Sequence, residues 1–315
     1  MNNYTFQIQL PFKKFYLINF IIFLIILKYQ YSNNSIKKSP KVSVFLPIYN
    51  KQHFLKSSIN SIQNQQLKEI EIIAVNDFST DFSLKILKKL ARNDNRIKII
   101  NNDRNHGLLY SRAIGILNCL GEYVMNLDPD DKLKGNNNLK DLYIYSKKYN
   151  FDFVRFLHKR IGQNKLNNNY YKYLDKTQLK RPDCYITNKF IKRKVIFKAY
   201  ENFKKKIYSS KWNYHEDNIW SLLIYKYSNS QSLLNSYIYL IIKNNESLMA
   251  NINQNNIEIK NRIYKLETLL ELKLQKKKII IIFFKSIFKL FHSIRDIEIK
   301  KKLIHIYFKL NKYIT

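Results

Sequence analysis

Short apolar runs alternate with amphipathic segments along the chain after residue 40. The runs are rich in β-branched and aromatic residues, which predicts buried strands at 42–48, 71–76, 97–101 and 123–127. Between them apolar residues recur every three or four positions, as in helices that run to about residues 65, 90 and 118. We expect Asn50 to cap the first helix and the cluster 79–81 to cap the second. This order predicts an α/β fold, with a doubly wound, mostly parallel sheet and helices on both faces.

A hydrophobic segment precedes this region. Residues 15–27 are apolar with one exception and are flanked by lysines. The run is shorter than the ~20 residues of a spanning helix, but Tyr29 and Tyr31 extend it with side chains typical of membrane interfaces. We expect a signal anchor over 1–31, with a cleaved signal peptide or a core helix as alternatives, and a linker over 32–40. The protein is then membrane-associated and single-pass, in the ER or Golgi if the source is eukaryotic, and its orientation stays open.

Polar clusters follow three of the predicted strands, at 47–50, 76–81 and 128–131. Because ligands of doubly wound sheets bind at the carboxyl ends of the strands, these clusters are expected to meet at one site. Their carboxylates suit Mg²⁺ or Mn²⁺, which usually arrive with a diphosphate. Each cluster taken alone is equally typical of an Asx turn or a helix cap. No GxGxxG or GxxxxGK[ST] motif supports a dinucleotide fold or a P-loop.

These motifs resemble glycosyltransferase family 2, the inverting nucleotide-sugar transferases with a GT-A fold. The resemblance rests on VSVFLPIYN (42–50), IIAVNDFSTD (72–81), NHGLLYSRAIGI (105–116), GEYVMNLDPDD (121–131) and HEDNIW (215–220). It implies a GT-A domain over 41–254 that moves a sugar from a nucleotide-diphosphate donor, a UDP-sugar or similar, to an acceptor hydroxyl. A catalytically silent module that binds a glycan or a nucleotide is the alternative function.

The resemblance implies a role for each matching residue on the donor side. Pro47, Tyr49 and Asp77 match positions that hold the nucleotide base, with Asp77 accepting a hydrogen bond from uracil or its equivalent. Arg112 matches a second contact to the base or to phosphate. An exposed arginine on a helix is the alternative for Arg112.

The matches on the reaction side are carboxylates. Asp128 and Asp130 match the DxD element, which implies that Asp130 binds Mn²⁺ or Mg²⁺ and that Asp128 binds the ribose or the metal. Asp131 either assists them or caps the following turn. The acceptor hydroxyl must lose a proton, and Asp217 matches the family's catalytic base. Glu216 and a role as a helix cap are the alternatives for that position.

Composition narrows the possible partners. The formal net charge is +33, yet residues 41–131 carry 12 basic and 10 acidic residues, so the motif region is almost neutral. We therefore expect no nucleic-acid partner, and we expect a nucleotide-sugar donor, an acceptor that is a glycan, lipid or protein, and a membrane bound through the N-terminal helix. An aromatic content of 15% and two cysteines exclude a disordered chain and a disulfide scaffold.

The second half of the chain has weaker patterns. Residues 187–200 resemble the family's passage from a strand to a helix beneath the acceptor site, whereas 237–247 match a later family segment only loosely. Residues 255–315 predict basic amphipathic helices, which either pack against the domain or lie on an anionic membrane surface. The sugar, the acceptor and the linkage cannot be read from these motifs.

Overall fold

The computed structural model describes residues 39–161, 185–209 and 216–242. The strands in these residues are β1 (Val42–Ile48), β2 (Ile70–Asn76), β3 (Ile97–Asn101), β4 (Tyr123–Asn126), β5 (Lys132–Leu133), β6 (Phe153–Ile161), β7 (Lys189–Lys192) and β8 (Gln231–Ile242). The helices are α1 (Leu55–Gln63), α2 (Ser83–Asn93), α3 (Leu108–Leu117), α4 (Asn138–Lys148), α5 (Arg193–Ser209) and α6 (Glu216–Tyr227).

These strands form one mixed sheet in the order β3-β2-β1-β4-β7-β6-β8-β5. β1 pairs in parallel with β2 and β4, and β2 with β3, as the alternation of strands and helices predicts. β7 is antiparallel to both of its neighbours and β5 is antiparallel to β8, while β6 and β8 are parallel. The expected mostly parallel sheet therefore describes the first four strands. Beyond β4 the repeated β-α units that demand parallel pairing end, and the sheet becomes mixed.

Helices cover both faces of the sheet, as predicted. Along β1, Val44 and Leu46 face the core that contains α1, α2 and α4. Phe45 between them faces the other core, which contains α3, α5 and α6. The whole of β1 is buried, so its two faces carry apolar side chains in alternation. This double cover leaves the ends of the strands as the places where polar chemistry meets solvent.

The start of the first helix differs from the prediction. α1 begins at Leu55, and Asn50 does not cap it. Asn50 has a positive φ of 49°, and its side-chain oxygen accepts the backbone N–H of Thr80 at 2.9 Å. The expected capping role is therefore wrong for Asn50, because its side chain joins two loops. Asp81 does accept the N–H of Ser83, the first residue of α2, at 2.9 Å.

A glycine lets α3 lie close to the sheet. A Cβ atom on Gly115 would lie 2.8 Å from Cδ2 of Phe45, which is closer than such atoms approach. The absence of a side chain at Gly115 thus brings α3 against β1. The same helix carries Arg112, so this contact helps to fix where the guanidinium lies.

Several predictions fall on residues that the structure does not describe. The N-terminal segment 1–31, most of the linker and the extension 255–315 are among them. The domain boundaries therefore stay predictions. Within the three described ranges, no helix is both long enough and apolar enough to cross a membrane. The predicted passage from strand to helix at 187–200 is confirmed, since β7 runs directly into α5.

Candidate active site

The loops that follow β1 and β2 are joined to each other at the carboxyl edge of the sheet. The backbone N–H of Asn50 donates to Oγ of Ser79 at 3.1 Å, and that of Gln52 donates to Oδ2 of Asp81 at 3.0 Å. These bonds use the short polar side chains that the sequence concentrates after both strands. The first two polar clusters therefore meet in space, as predicted.

The three residues predicted to hold the base lie together in this edge. Pro47 is buried in β1, and the N–H of Asp77 donates to the carbonyl of Ile48 at 2.8 Å. Tyr49 is 45% exposed, so its ring is available to a ligand. Asp77 is only 2% exposed. The role of Asp77 in the folded chain therefore follows from the groups that its carboxylate contacts.

Asp77 anchors the loop before α3. Its Oδ1 accepts hydrogen bonds from the Asn102 side chain at 2.7 Å and the His106 N–H at 2.9 Å, and its Oδ2 accepts the Gly107 N–H at 2.8 Å. Gly107 has a φ of 91°, which a glycine adopts without strain. Sequence reasoning missed this role. A sequence signal for this loop was present, because glycine is scarce and three of the five glycines in the chain lie within 107–121.

Arg112 lies at the centre of a buried ionic cluster. Its side chain is 2% exposed, so the alternative of an exposed helix arginine is wrong. Nη2 donates to Oδ1 of Asp128 at 3.0 Å, and Nη1 donates to the carboxylates of Glu216 and Asp217. The structure thus brings the predicted DxD aspartate and the predicted base onto one guanidinium. We call Arg112, Asp128, Glu216 and Asp217 the arginine cluster.

The arginine cluster holds more carboxylates than cations. Burial raises the pKa of both Glu216 and Asp217, while the charge of Arg112 opposes this rise. Burial lowers the pKa of Arg112, but the three carboxylates raise it above its ordinary value, so Arg112 stays charged. Two carboxyl groups therefore bind protons at a higher pH than usual, which is typical of acid–base sites.

The two candidate bases differ in access to solvent. Glu216 and Asp217 are the first two residues of α6, where the partial positive charge of the helix end favours carboxylates. The Glu216 side chain is 3% exposed, whereas that of Asp217 is 27% exposed. Asp217 is thus accessible to a ligand from solvent, whereas Glu216 contacts Arg112 in the interior.

The third polar cluster is fixed by a distant strand. The Asp128 N–H donates to the hydroxyl of Tyr239 on β8 at 3.0 Å, and the Ile242 N–H donates to Oδ1 of Asp131 at 2.9 Å. Burial, then the charges of Asp128 and Asp130, raise the pKa of Asp131 to about 8. Asp131 thus ties β8 to this loop. In the sequence, Tyr239 lies within the segment 237–247, which matches the family only loosely.

Asp128 and Asp130 are the residues that would hold a divalent cation. In the described ranges, no group of three or more His, Cys, Asp or Glu side chains could hold a metal ion. Mg²⁺ in phosphate-binding sites usually takes one or two carboxylates and completes its shell with substrate phosphates and water. Asp130 already forms an ion pair with a lysine, since Nζ of Lys51 lies 2.8 Å from its Oδ2 atom. The donor set fits a cation that arrives with a diphosphate.

Comparison with known sequences identifies similar proteins. The family model described as glycosyl transferase family 2 matches residues 43–203. An uncharacterized glycosyltransferase of Haemophilus influenzae is 42% identical over 95 residues, which are 30% of this chain and 29% of that protein. The chain therefore matches less than a third of the length of that relative.

Solved structures share the fold. S. aureus TarS 1-349, crystallised in complex with UDP-GlcNAc, superposes with a TM-score of 0.65 and 20% identity over 87% of this chain and 82% of that one. The mannosyltransferase PcManGT from Pyrobaculum calidifontis, in complex with GDP-Man and Mn²⁺, superposes with a TM-score of 0.51 and 14% identity over 90% and 76% of the two chains. At these identities the likeness is one of fold.

Proposed function

The chain belongs to glycosyltransferase family 2, and from this premise we propose that it transfers a sugar from a UDP-sugar to an acceptor hydroxyl with inversion at the anomeric carbon. The observation that carries the proposal is the arginine cluster, which joins the DxD aspartate to a half-buried carboxylate at the ligand-binding edge of the sheet. A UDP-sugar is supported by the UDP-GlcNAc complex of TarS.

The donor is proposed to bind with its base on the β1 and β2 loops. The exposed ring of Tyr49 offers a surface for stacking, and Asp77 fixes the loop on the other side. The contacts of Arg112 favour a role in orienting carboxylates over direct contact with the base or phosphate, because within the described residues its guanidinium pairs with three acidic side chains. Asp128 and Asp130 are proposed to hold Mn²⁺ or Mg²⁺, a choice supported by the Mn²⁺ complex of PcManGT.

The cation, when bound, supplies positive charge for the leaving diphosphate. The protein's own part is to take the acceptor proton. Asp217 accepts that proton as the acceptor oxygen bonds to the anomeric carbon, while the bond from that carbon to the diphosphate breaks and its electron pair leaves with the nucleotide. A raised pKa suits this task, since a base works best when its pKa lies near the operating pH.

The test is turnover of a panel of nucleotide-sugars by the full chain, with Mn²⁺ and with a chelator, followed by an acceptor screen. We expect metal-dependent turnover of a UDP-sugar that Asp130→Ala abolishes. Asp217→Asn should lower transfer by about 10² to 10⁴-fold. It should also remove the acidic limb of the pH profile, which we expect above the ordinary aspartate value of ~3.9. Asp141→Ala and Asp141→Asn, on the exposed face of α4, are the matched controls.

The outcomes separate the alternatives. If a nucleotide-sugar binds with metal but is never turned over, the silent binding module replaces the enzyme. If Asp217→Asn retains full transfer and its acidic limb, the base is another group. If no nucleotide-sugar binds to the folded chain, the roles of Asp77 and Asp130 are wrong.

We also propose that the protein associates with a membrane through residues 1–31 and acts on a glycan, lipid or protein acceptor, in the ER or Golgi if the source is eukaryotic. The apolar run at 15–27 supports the membrane association. Fractionation of the full chain and of a variant with lysines placed in that run tests it. Recovery of the intact chain in the soluble fraction would contradict it.

A further inference from the structure

A lysine from the β1 loop reaches the predicted metal ligand. Nζ of Lys51 donates to Oδ2 of Asp130 at 2.8 Å. The two side chains are 13% and 15% exposed, so this ion pair is largely shielded from water. Shielded pairs are screened less by salt than exposed ones. The pair is therefore part of the site's charge balance.

The backbone of Lys51 is held from both sides. Its N–H donates to Oγ of Ser83 at 2.8 Å, and its carbonyl accepts the N–H groups of Phe54 and Leu55 at 3.1 and 3.0 Å. These bonds tie it to the first residue of α2 and to the start of α1. The backbone of Lys51 is thus fixed, and its charge moves only through rotation of the long side chain.

From this geometry we infer that Lys51 holds Asp130 in the absence of ligand, yields it to the divalent cation, and then pairs with the diphosphate of the donor. The inference rests on the proposed function and adds a residue that binds the leaving group. An ammonium and a divalent cation repel each other strongly when both lie within a few ångströms on one carboxylate. The incoming diphosphate offers the displaced ammonium a new anionic partner.

The local charges explain why it is useful for Lys51 to occupy Asp130 before the cation binds. Asp128 and Asp130 lie on the same short loop. Their negative charges also act on the buried Asp131, which lies between them and β8. Arg112 neutralises Asp128, and Lys51 neutralises Asp130. The ion pair holds the Asp130 carboxylate in one orientation before the ligand arrives. It must be broken for the metal to bind, so it lowers the affinity of the free protein for metal.

The experiment compares Lys51→Met with Lys56→Met, an equal change of charge at an exposed position on α1. Mn²⁺ binding to the full chain without nucleotide is measured by the spin resonance of free Mn²⁺, and UDP binding is measured by calorimetry at a saturating concentration of Mn²⁺. We expect Lys51→Met to bind Mn²⁺ about threefold to tenfold more tightly. It should bind UDP about tenfold more weakly, since a charge-assisted bond to phosphate is lost. Lys56→Met should match the unmodified protein.

Each result bears on a separate claim. Unchanged or weaker Mn²⁺ binding in Lys51→Met overturns the role of Lys51 on Asp130, and unchanged UDP binding overturns its role on the diphosphate. If Lys51→Met does not fold, Lys51→Gln is measured in the same way with the same expectations. If the unmodified chain binds neither Mn²⁺ nor any nucleoside diphosphate, the proposed function fails, independently of Lys51.

Discussion

Two buried polar clusters lie at opposite edges of the same sheet and differ in how their charges are balanced. At the amino edge, the Glu71 carboxylate accepts the Ser43 hydroxyl at 2.6 Å, the Leu120 N–H at 2.6 Å, the Gly121 N–H at 3.2 Å and Nζ of Lys98 at 2.7 Å. One carboxylate there has four donors. At the carboxyl edge, the arginine cluster sets three carboxylates around a single guanidinium.

This difference separates structural from functional use of buried charge. A buried carboxylate with four donors rigidifies the fold and has little capacity for a ligand. A cluster with excess negative charge is stabilised by a proton or a second cation, which are the two things that the proposed sugar transfer requires there. The charge at the amino edge is thus balanced within the protein, whereas the charge at the carboxyl edge is balanced when a proton or a cation binds.

Removal of the Arg112 guanidinium should have the largest effect on the protein. Arg112→Met leaves three carboxylates without their cation, and we expect the free energy of unfolding to fall by about 3–5 kcal/mol. Without Arg112 the pKa values of Glu216 and Asp217 rise further, so the folded protein binds more protons than the unfolded chain. The loss of stability should therefore be larger at pH 8 than at pH 5.

Urea denaturation at both pH values measures this effect. Arg92→Met, on an exposed position of α2, is the control with the same change of charge. Equal stability losses at the two pH values would show that Arg112 is important for packing and not for its charge.

At the other edge, a smaller effect with no change of activity is expected. Glu71→Gln turns one acceptor into a donor that faces either N–H groups or Lys98, so stability should fall by about 1–3 kcal/mol. Transfer per folded molecule should stay unchanged, because the cluster lies at the far end of the strands. Glu69→Gln, whose partner Lys41 is 33% exposed, should cost at most about 1 kcal/mol. A drop in transfer by folded Glu71→Gln would show that the two edges of the sheet are coupled and would contradict a purely structural role for Glu71.

The smallest effect is expected from the Tyr239 hydroxyl, which supports the loop proposed to bind the metal. Tyr239→Phe removes the acceptor of the Asp128 N–H and should cost about 1 kcal/mol of stability. If Tyr239 positions Asp128, the concentration of Mn²⁺ needed for half-maximal transfer should rise several-fold while KM for the acceptor stays constant. Tyr237→Phe, at a 39% exposed position on the same strand, is the control. Identical metal dependence in the two variants would reduce Tyr239 to a packing role.

The fold of the first half was predictable because its contacts are nearly local. The strand and helix over 97–118 are placed within about one residue, since periodicity reports burial directly. The failed cap at Asn50 shows the limit: the side chain had two possible uses, and the loop after β2 decided between them. The antiparallel strands after β4 were not predicted, because no repeated unit precedes them.

The amino-acid sequence is enough to identify which carboxylates gather at the edge of the sheet, since the strands and the positions that follow each strand are local properties. It did not determine their partners. Arg112 lies 16 residues from Asp128 and 104 from Glu216, and no local pattern reports a contact over that separation. The burial of this arginine among acids and the contact of Lys51 with Asp130 become visible in the folded chain, because burial converts modest surface attractions into specific pairs.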